Sequence, residues 1–215
     1  KTTSATTGTP RMVTFTASPL CADVDNIVLT MGLRPDWPNL GAISLAHSYG
    51  FSSLVLPLLL HGIPLIRSRS SLPEALRQAA AQANDLTLPA VPALWRAWFE
   101  ADAIPAQVRL AISAGAPLPV ALEREVLASA GVKIHNFYGS TECGGIAYDP
   151  TSVPRVDNAC VGRPMQKVKI SIDADGCVAV RGANVGETYW PAAGDSLGHG
   201  YFRTSDLGEL IDGWV

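Results

Sequence analysis

Hydroxyl side chains are concentrated in the run TTSATTGTPR, which occupies Thr2 to Arg11 near the start of the sequence. Its Thr and Ser residues are interspersed with Ala, Gly and Pro, and the run ends on a cation. A segment this polar and this rich in turn formers does not form a core element, so it is either a spacer or a loop that binds a ligand. Composition alone favours the spacer.

Two later segments each place a carboxylate among small and aromatic residues. The first is HNFYGSTECGG, which contains Glu142, and the second is YFRTSDLGEL, which contains Asp206. Glu142 follows a predicted strand and a Gly-Ser-Thr turn, and α/β sheets bind ligands at the carboxyl ends of their strands. This position favours a binding role for Glu142 over that of a solvated surface charge. For Asp206, a turn residue before Gly208 stays an open alternative.

Several common catalytic motifs are absent from the sequence. A Walker loop needs a Lys-Ser/Thr pair, which neither GTPRMV nor the stretch from Gly139 to Gly145 supplies. A GxSxG nucleophile elbow fails at Ser113 because Ala111 stands where the first Gly belongs. HExxH and GxGxxG are also missing.

Composition restricts the class of protein and of partner. The 215 residues are 47% hydrophobic with 19 Gly and 16 Pro, which is typical of a globular chain with many turns. The net charge is −3 and the basic residues are scattered, so nucleic acids and acidic membrane surfaces are not expected partners. The longest apolar run, Ser53 to Leu60, is broken by Pro57 and is far shorter than the roughly 20 residues of a membrane helix. We expect a small-molecule partner.

The cysteines and the chain ends carry two further expectations. The four cysteines form no CxxC pair, which favours reduced thiols and a cytoplasmic location over a zinc site or a disulfide framework. The sequence begins with Lys1 rather than Met and stops at DLGELIDGWV without a closing element, so we expect an internal piece of a longer protein.

Strand and helix patterns alternate over the first 150 residues. Strands are predicted at Ala42 to Leu45, Pro64 to Arg67, Val108 to Ser113 and over VKIHNFYG, with LTLPAVP extended; helices are predicted over SSLPEALRQAAAQAND, ALWRAWFEAD and LPVALEREVLASAG. Ser71 and Glu74 form a capping-box pattern, and Gly131 marks a helix stop. Ala83 is expected on the apolar face of the first helix, whereas Trp95, Trp98 and Phe99 are expected to form one apolar face in the core. The alternation indicates an α/β fold with a mainly parallel sheet and flanking helices.

The pattern changes after Asp149. QKVKISIDADGCVAVRG predicts a strand, an Asp-Gly turn and a second strand, and helical patterns are absent from there on. We therefore predict a boundary near Pro150 to Pro154, with an α/β subdomain over residues 1–150 and a small β subdomain over residues 151–215.

Three segments, in their order along the chain, resemble three motifs of the AMP-forming adenylating enzymes, the superfamily that includes the acyl-CoA synthetases and aryl-acid ligases. The segments are TTSATTGTPR, HNFYGSTECGG and YFRTSDLGEL. The first resembles the Ser/Thr/Gly phosphate loop, the second the aromatic-Tyr-Gly-x-Thr-Glu motif and the third the Tyr-x-Thr-Gly-Asp motif. SAGAPLP resembles the adenine-side segment. The chain departs from the pattern at Ala5, Met12 and Ser205, where the family has Gly, and at Arg11, where it has Lys.

The resemblance implies a phosphate site and a metal site. Backbone N–H groups and hydroxyls of the first segment would wrap the phosphates of ATP, and a cation would assist them. The residues concerned are Thr3, Ser4, Thr6, Thr7, Gly8 and Arg11. Thr141 would donate to the α-phosphate, and Glu142 would hold Mg²⁺, a hard cation that takes carboxylate and phosphate oxygens.

The resemblance also implies a nucleoside site and an acyl site. Tyr138 would stack on adenine, Asn136 would recognise its exocyclic amine, and Asp206 would accept hydrogen bonds from the ribose hydroxyls. Gly115, Ala116 and Pro117 would form the adenine side of the pocket. His47 would lie beside the acyl carboxylate, and Gly139, Cys143 and Gly144 would line the acyl pocket, with Cys143 packing rather than reacting.

The implied reaction is attack of a carboxylate on the α-phosphorus of ATP, which gives an acyl-adenylate and pyrophosphate. The acyl group then passes to coenzyme A or to a carrier-protein thiol. The family's mobile C-terminal domain, which brings a catalytic Lys, lies beyond the last residue, and its large N-terminal subdomain precedes the first, so we expect impaired turnover. Two alternatives stay open: a module that binds nucleotide and acyl group without turnover, and an α/β hydrolase that uses Ser113.

Overall fold

The computed structural model describes residues 1–3 and 11–215, and within these residues the strands form three sheets. The largest has seven strands in the order β3-β2-β4-β5-β6-β7-β8. Its strands are β2 (Asn39–Gly41), β3 (Leu65–Arg67), β4 (Leu86–Ala90), β5 (Val108–Ser113), β6 (Ile134–Ser140), β7 (Gly144–Tyr148) and β8 (Arg163–Pro164). The pairs from β3 to β6 are parallel, which confirms the predicted α/β class.

The parallel strands are connected by helices, as a crossover between parallel neighbours requires. A segment made of α2 (Ser48–Gly50), a π-helical stretch (Phe51–Val55) and α3 (Leu56–His61) joins β2 to β3. The next three connections contain α4 (Pro73–Ala80), α5 (Pro92–Glu100) and α6 (Val120–Ala130). After β6 the chain turns back over only three residues, Thr141–Cys143, so β7 pairs with β6 in the antiparallel direction.

Two smaller antiparallel sheets complete the described part of the chain. In the first, β1 (Met12–Thr14) pairs with β11 (Thr188–Trp190). The second contains β9 (Lys169–Ile172), β10 (Cys177–Arg181), β12 (Leu197–Gly198) and β13 (Tyr201–Leu207), in the order β12-β13-β10-β9. The predicted turn between β9 and β10 is present, and no helix occurs after residue 150. The predicted division at residues 150–154 stays a prediction.

Two apolar clusters hold these layers together. One lies between the parallel sheet and α4 to α6 and contains Leu76, Leu88, Trp95, Trp98 and Leu122. The other includes residues of β1, β6, β7 and the β9–β10 sheet, together with Ile27 and Met31 of α1 (Ala17–Met31). Trp95 and Trp98 are fully buried, as predicted for the core face of α5, whereas Phe99 is only partly buried against the same cluster.

Three sequence expectations about local structure are wrong. The strand predicted at Ala42 to Leu45 lies earlier, at Asn39–Gly41, because only that stretch pairs with β3 and β4. The Ser71 capping box does not form: Leu72 is the N-cap of α4 and makes no side-chain capping bond, and the Ser71 carbonyl instead accepts from Trp98 Nε1 at 2.8 Å. Helix α4 ends at Ala80, so Ala83 lies outside it.

Helix α1 was missing from the prediction, although it is the longest helix described. Val24, Ile27 and Met31 recur at helical spacing and are buried, and Pro19 lies in the first turn, where a helix tolerates proline. Gly32 ends the helix in the left-handed conformation, with φ of 66°. The described helices include none that is long and apolar enough to cross a membrane.

Candidate functional site

A cavity of about 740 Å³ lies at the carboxyl ends of β5 and β6, beside the end of β13. Such a volume is typical of small-molecule sites. The site residues predicted for the nucleoside line it together: Gly115, Ala116, Pro117, Asn136, Tyr138 and Asp206. Gly139, which was predicted to line the acyl pocket, also lies in its wall. These residues come from three separate stretches of the chain, and the fold brings them to one cavity.

The side chains of Tyr138 and Asp206 meet in the wall of this cavity. The phenol of Tyr138 donates a hydrogen bond of 2.5 Å to Asp206 Oδ2. Burial of the ring, followed by the adjacent carboxylate, raises the pKa of Tyr138 far above its usual value, so the phenol keeps its proton. Asp206 is exposed and its second carboxylate oxygen stays available, which suits an acceptor for a ligand hydroxyl.

Asn136 offers the cavity an acceptor. Its side-chain nitrogen donates to the carbonyl oxygen of Val161 at 2.9 Å, which fixes the orientation of the amide. The amide oxygen is then the group that this side chain can present to a ligand amine. Its backbone carbonyl accepts from Asp149 N at 2.9 Å, so both ends of the residue are held.

The glycines of the β6–β7 hairpin are needed by the protein's own packing. A Cβ on Gly139 would lie 2.6 Å from the carbonyl oxygen of Gly144. A Cβ on Gly144 would lie 2.0 Å from Asp23 Oδ1, the oxygen that accepts from Gly145 N. Gly139 therefore has a structural reason to be glycine besides its place in the cavity wall.

Glu142 lies in the β6–β7 turn, outside the residues that line the cavity, and belongs to a second group of side chains. Tyr189 donates its hydroxyl hydrogen to Glu142 Oε1 at 3.1 Å. The Arg11 guanidinium lies 3.8 Å from the centroid of the Tyr189 ring. Burial first, and then the Glu142 carboxylate, raises the pKa of Tyr189 to about 12.

The two ends of the hydroxyl-rich segment are bonded to each other. Thr3 N donates to Arg11 O at 2.9 Å, and Arg11 N donates to Thr3 Oγ1 at 3.1 Å. These bonds hold Thr3 and Arg11 together, and the Arg11 side chain lies on Tyr189, the residue that bonds Glu142. Ser4, Thr6, Thr7 and Gly8, which were predicted to bind phosphate, lie outside the described residues.

Thr141 and His47 are not joined to the cavity by the described contacts. Thr141 is half-buried in the same turn as Glu142. His47 has an exposed side chain, directly precedes α2 and is not among the described residues that line the cavity. Their roles at the α-phosphate and at the acyl carboxylate stay predictions.

Glu142 is the carboxylate that the resemblance assigns to Mg²⁺. Residues 1–3 and 11–215 contain no group of three His, Cys, Asp or Glu side chains that could hold a metal ion. Mg²⁺ is commonly held by one or two carboxylates together with phosphate oxygens of a bound substrate. A single carboxylate such as Glu142, which shares its contact to Tyr189 with the basic residue Arg11, fits a metal that arrives with a nucleotide.

The structure bears on two expectations, that Cys143 packs and that Ser113 could be a nucleophile. Cys143 is fully buried, and burial raises the pKa of its thiol to about 12, so it packs as predicted. The Ser113 hydroxyl is also buried and has no hydrogen-bond partner among the residues described. A hydrolase nucleophile needs an adjacent base, so the hydrolase alternative has no support here.

The sequence analysis missed two residues around the site, Tyr189 and Arg155. Tyr189 lies outside the motifs to which the sequence analysis assigns a role. Arg155 lines the cavity and donates to the carbonyl oxygens of Leu118 and Cys160, which stand on two of its walls. The charge of Arg155 is balanced by buried Glu123, and no local sequence pattern indicates a pairing of residues 32 positions apart.

Comparison with known proteins agrees with this arrangement. The family model for AMP-binding enzymes matches residues 2–202. A probable 2-succinylbenzoate–CoA ligase of Mycobacterium tuberculosis is 30% identical over 232 residues, covering 99% of this chain and 54% of the relative. A 4-coumarate–CoA ligase of Rhodobacter capsulatus is 32% identical over 146 residues, covering 67% and 37%. The chain thus spans about half the length of the first of these relatives.

Solved structures share the fold. O-succinylbenzoate coenzyme A synthetase of Bacillus subtilis, in complex with ATP and magnesium ion, superposes with a TM-score of 0.88 at 24% identity, covering 99% of this chain and 48% of that one. Apo MatB of Rhodopseudomonas palustris gives a TM-score of 0.87 at 22% identity, covering 99% and 46%. At these identities the likeness concerns the fold alone, and the family follows from the match over residues 2–202. The chain belongs to the family of AMP-binding enzymes.

Proposed function

We propose that the protein activates a carboxylic acid with ATP, releasing pyrophosphate and forming an acyl-adenylate, and that the acyl group then passes to the thiol of coenzyme A. The observation that carries the proposal is the convergence of Asn136, Tyr138 and Asp206 on one cavity beside Gly115. These side chains supply an aromatic surface, an amide and a carboxylate, which are the groups a nucleoside monophosphate needs for its base and its ribose.

The nucleoside occupies the cavity of about 740 Å³ in this proposal. The Tyr138 ring stacks on the base, and the Asn136 amide oxygen accepts from the exocyclic amine. Asp206 already accepts from Tyr138 through Oδ2, so Oδ1 accepts from the ribose. The hydrogen bond between the two side chains holds the stacking surface and the ribose acceptor in one fixed relation before the ligand binds.

The phosphates extend from the cavity toward the β6–β7 turn. Glu142 is the residue that would hold Mg²⁺, which when bound neutralises phosphate charge. Arg11 adds a cation, and Thr141 donates from the same turn as Glu142. These side chains make two contributions to the reaction. They align the acid with the α-phosphorus, and they stabilise the departing phosphates.

The acid and the thiol are the other substrates. The two curated relatives described above are named as CoA ligases of 2-succinylbenzoate and 4-coumarate, both carboxylic acids, which supports an acid and coenzyme A here. His47 orients the acyl carboxylate in this proposal. A carrier-protein thiol is the alternative acceptor, and the proposed location is the cytoplasm.

A second candidate is a module that binds nucleotide without turnover. It is favoured by the departures from the family pattern, above all Arg11 in place of Lys and Ser205 in place of Gly beside the ribose carboxylate. Arg presents a planar fork and Lys a compact point charge, so this exchange alters how a phosphate is held.

Isothermal titration with ATP and Mg²⁺, followed by ATP–pyrophosphate exchange with a panel of carboxylic acids, tests the proposal. Binding with acid-dependent exchange supports acid activation, and subsequent thioester formation with coenzyme A supports the second step. Binding without exchange favours the module. Absence of nucleotide binding refutes both.

A further inference from the structure

Tyr189 stands between the two charged side chains that the proposed function assigns to the phosphates. It is the middle residue of β11, and its register partner in β1 is Val13, two residues after Arg11. The residue is 4% exposed, which is unusual for a side chain surrounded by charged groups and indicates a fixed position. Its hydroxyl faces Glu142 and its ring faces Arg11.

The hydroxyl end of Tyr189 restrains Glu142. The phenol donates to Glu142 Oε1 at 3.1 Å, while Gly186 N, from the segment just before β11, donates to the Glu142 carbonyl oxygen at 2.8 Å. The turn residue is therefore held by its backbone from the segment before β11 and by its side chain from β11 itself. A carboxylate with one oxygen fixed by a neutral donor keeps the other oxygen free for a cation.

The ring of Tyr189 supports Arg11. The guanidinium carbon lies 3.8 Å from the ring centroid, a distance at which the planar cation stacks on the aromatic face. Gly194 lies alongside the pair, where an added Cβ would make ordinary van der Waals contact with the ring at 3.5 Å and with Arg11 Nη1 at 3.9 Å. The ring thus limits the freedom of a long side chain that would otherwise lose considerable entropy on binding an anion.

The geometry points to Tyr189 as a positioning residue that holds the metal-binding carboxylate through its hydroxyl and the phosphate-binding cation through its ring. The inference rests on the proposed function, because it takes Glu142 as the residue that holds Mg²⁺. It adds a residue whose two ends act on two different groups. Because the ends are chemically distinct, substitutions can separate them.

Tyr189→Phe removes the hydroxyl and keeps the ring. The affinity for ATP is measured by isothermal titration, once with Mg²⁺ and once with EDTA. The magnesium-dependent ratio is the dissociation constant in EDTA divided by the dissociation constant with Mg²⁺. Loss of a residue that orients a metal ligand costs about tenfold or more in metal affinity, so the magnesium-dependent ratio should fall by about tenfold in this variant. Its affinity for AMP in EDTA should stay unchanged.

Tyr189→Leu removes the hydroxyl and the ring. In addition to the reduced ratio, this variant should bind ATP in EDTA about twofold to fivefold more weakly than Tyr189→Phe does, because Arg11 loses its aromatic support. Tyr201→Phe is the matched control, since Arg181 lies 4.6 Å from the Tyr201 ring centroid in an Arg-Tyr pair of similar geometry on another sheet. The control should match the unsubstituted protein in every arm.

The outcomes separate this inference from the proposal beneath it. If the unsubstituted protein binds ATP equally with and without Mg²⁺, the metal role of Glu142 fails, and the inference fails with it. If the unsubstituted protein shows a magnesium effect and Tyr189→Phe retains the full ratio, the inference alone is overturned. Thermal melting of each variant confirms that the comparison is between folded proteins.

Discussion

Replacing Arg155 with methionine tests whether a buried charge cluster holds the walls of the cavity. The cluster contains Glu123, Lys133, Asp149 and Arg155, whose side chains are all buried. Lys133 Nζ donates to Glu123 Oε2 at 3.0 Å and to Asp149 Oδ2 at 2.8 Å, and Arg155 Nε donates to Glu123 Oε1 at 2.6 Å. Two positive and two negative charges are thus balanced inside the protein.

The magnitude follows from what Arg155→Met leaves behind. One cation would remain for two buried carboxylates, and the carbonyl oxygens of Leu118 and Cys160 would lose a charged donor. Removing one partner of a buried ion pair costs about 3–5 kcal/mol of unfolding free energy. Because Lys133 still pairs with Glu123 while two carbonyls lose their donor, we expect the middle of that range, about 4 kcal/mol.

Urea unfolding followed by circular dichroism measures this loss. Arg109→Met is the matched control, because Arg109 pairs with Asp85 at 2.5 Å while the two side chains are 51% and 38% exposed. An exposed pair contributes at most about 1 kcal/mol. Arg155→Lys, which keeps the charge but not the fork, should fall between the two. An Arg155→Met loss no larger than that of the control would refute the reasoning.

Three further predictions concern the site and its surroundings. Glu142→Gln should weaken binding of ATP with Mg²⁺ far more than binding of AMP in titration calorimetry; equal losses would exclude the metal role. Tyr138→Ala should weaken AMP binding by about 1–3 kcal/mol if the ring stacks on the base, and an unchanged affinity would exclude stacking. Burial is the main cause that lowers the pKa of His135, whose Nδ1 lies 2.9 Å from the Asp149 carbonyl oxygen. As the pH falls, the His135 side chain therefore binds a proton in the unfolded state before it does so in the folded state. The midpoint of urea unfolding should fall as the pH drops below about 6.5, and His135→Gln should reduce this decrease.

Most of the parallel sheet could be predicted from the sequence because each element has its own local pattern. The strand at Val108 to Ser113 has the predicted bounds, and Gly131 ends α6 in the left-handed conformation, as its position predicts. The Ala42 to Leu45 strand was wrong because pairing with β3 and β4, and not local β propensity, decides which three residues form β2. Ser71 is not the cap because α4 begins one residue later, with Leu72 as its N-cap, and the Ser71 carbonyl accepts from Trp98 Nε1, a contact across 27 residues.

The candidate site was predictable only in part. Its seven cavity residues were found through motif resemblance, and their convergence required the fold. Tyr189 and Arg155 act through long-range contacts, among them those to Glu142 and Glu123 respectively, and such contacts leave no periodic pattern in a sequence. The roles of Thr141 and His47 stay predictions, as do those of the phosphate-loop residues outside the described ranges.

The central claim is that the cavity beside Tyr138 and Asp206 binds the nucleoside, and a crystal structure of the protein with AMP tests it most directly. The account predicts the adenine against the Tyr138 ring and the Gly115 to Pro117 segment, with the ribose hydroxyls within hydrogen-bond distance of Asp206. AMP bound elsewhere, for example in the cavity of about 290 Å³ beside Cys21 and Lys167, would contradict it.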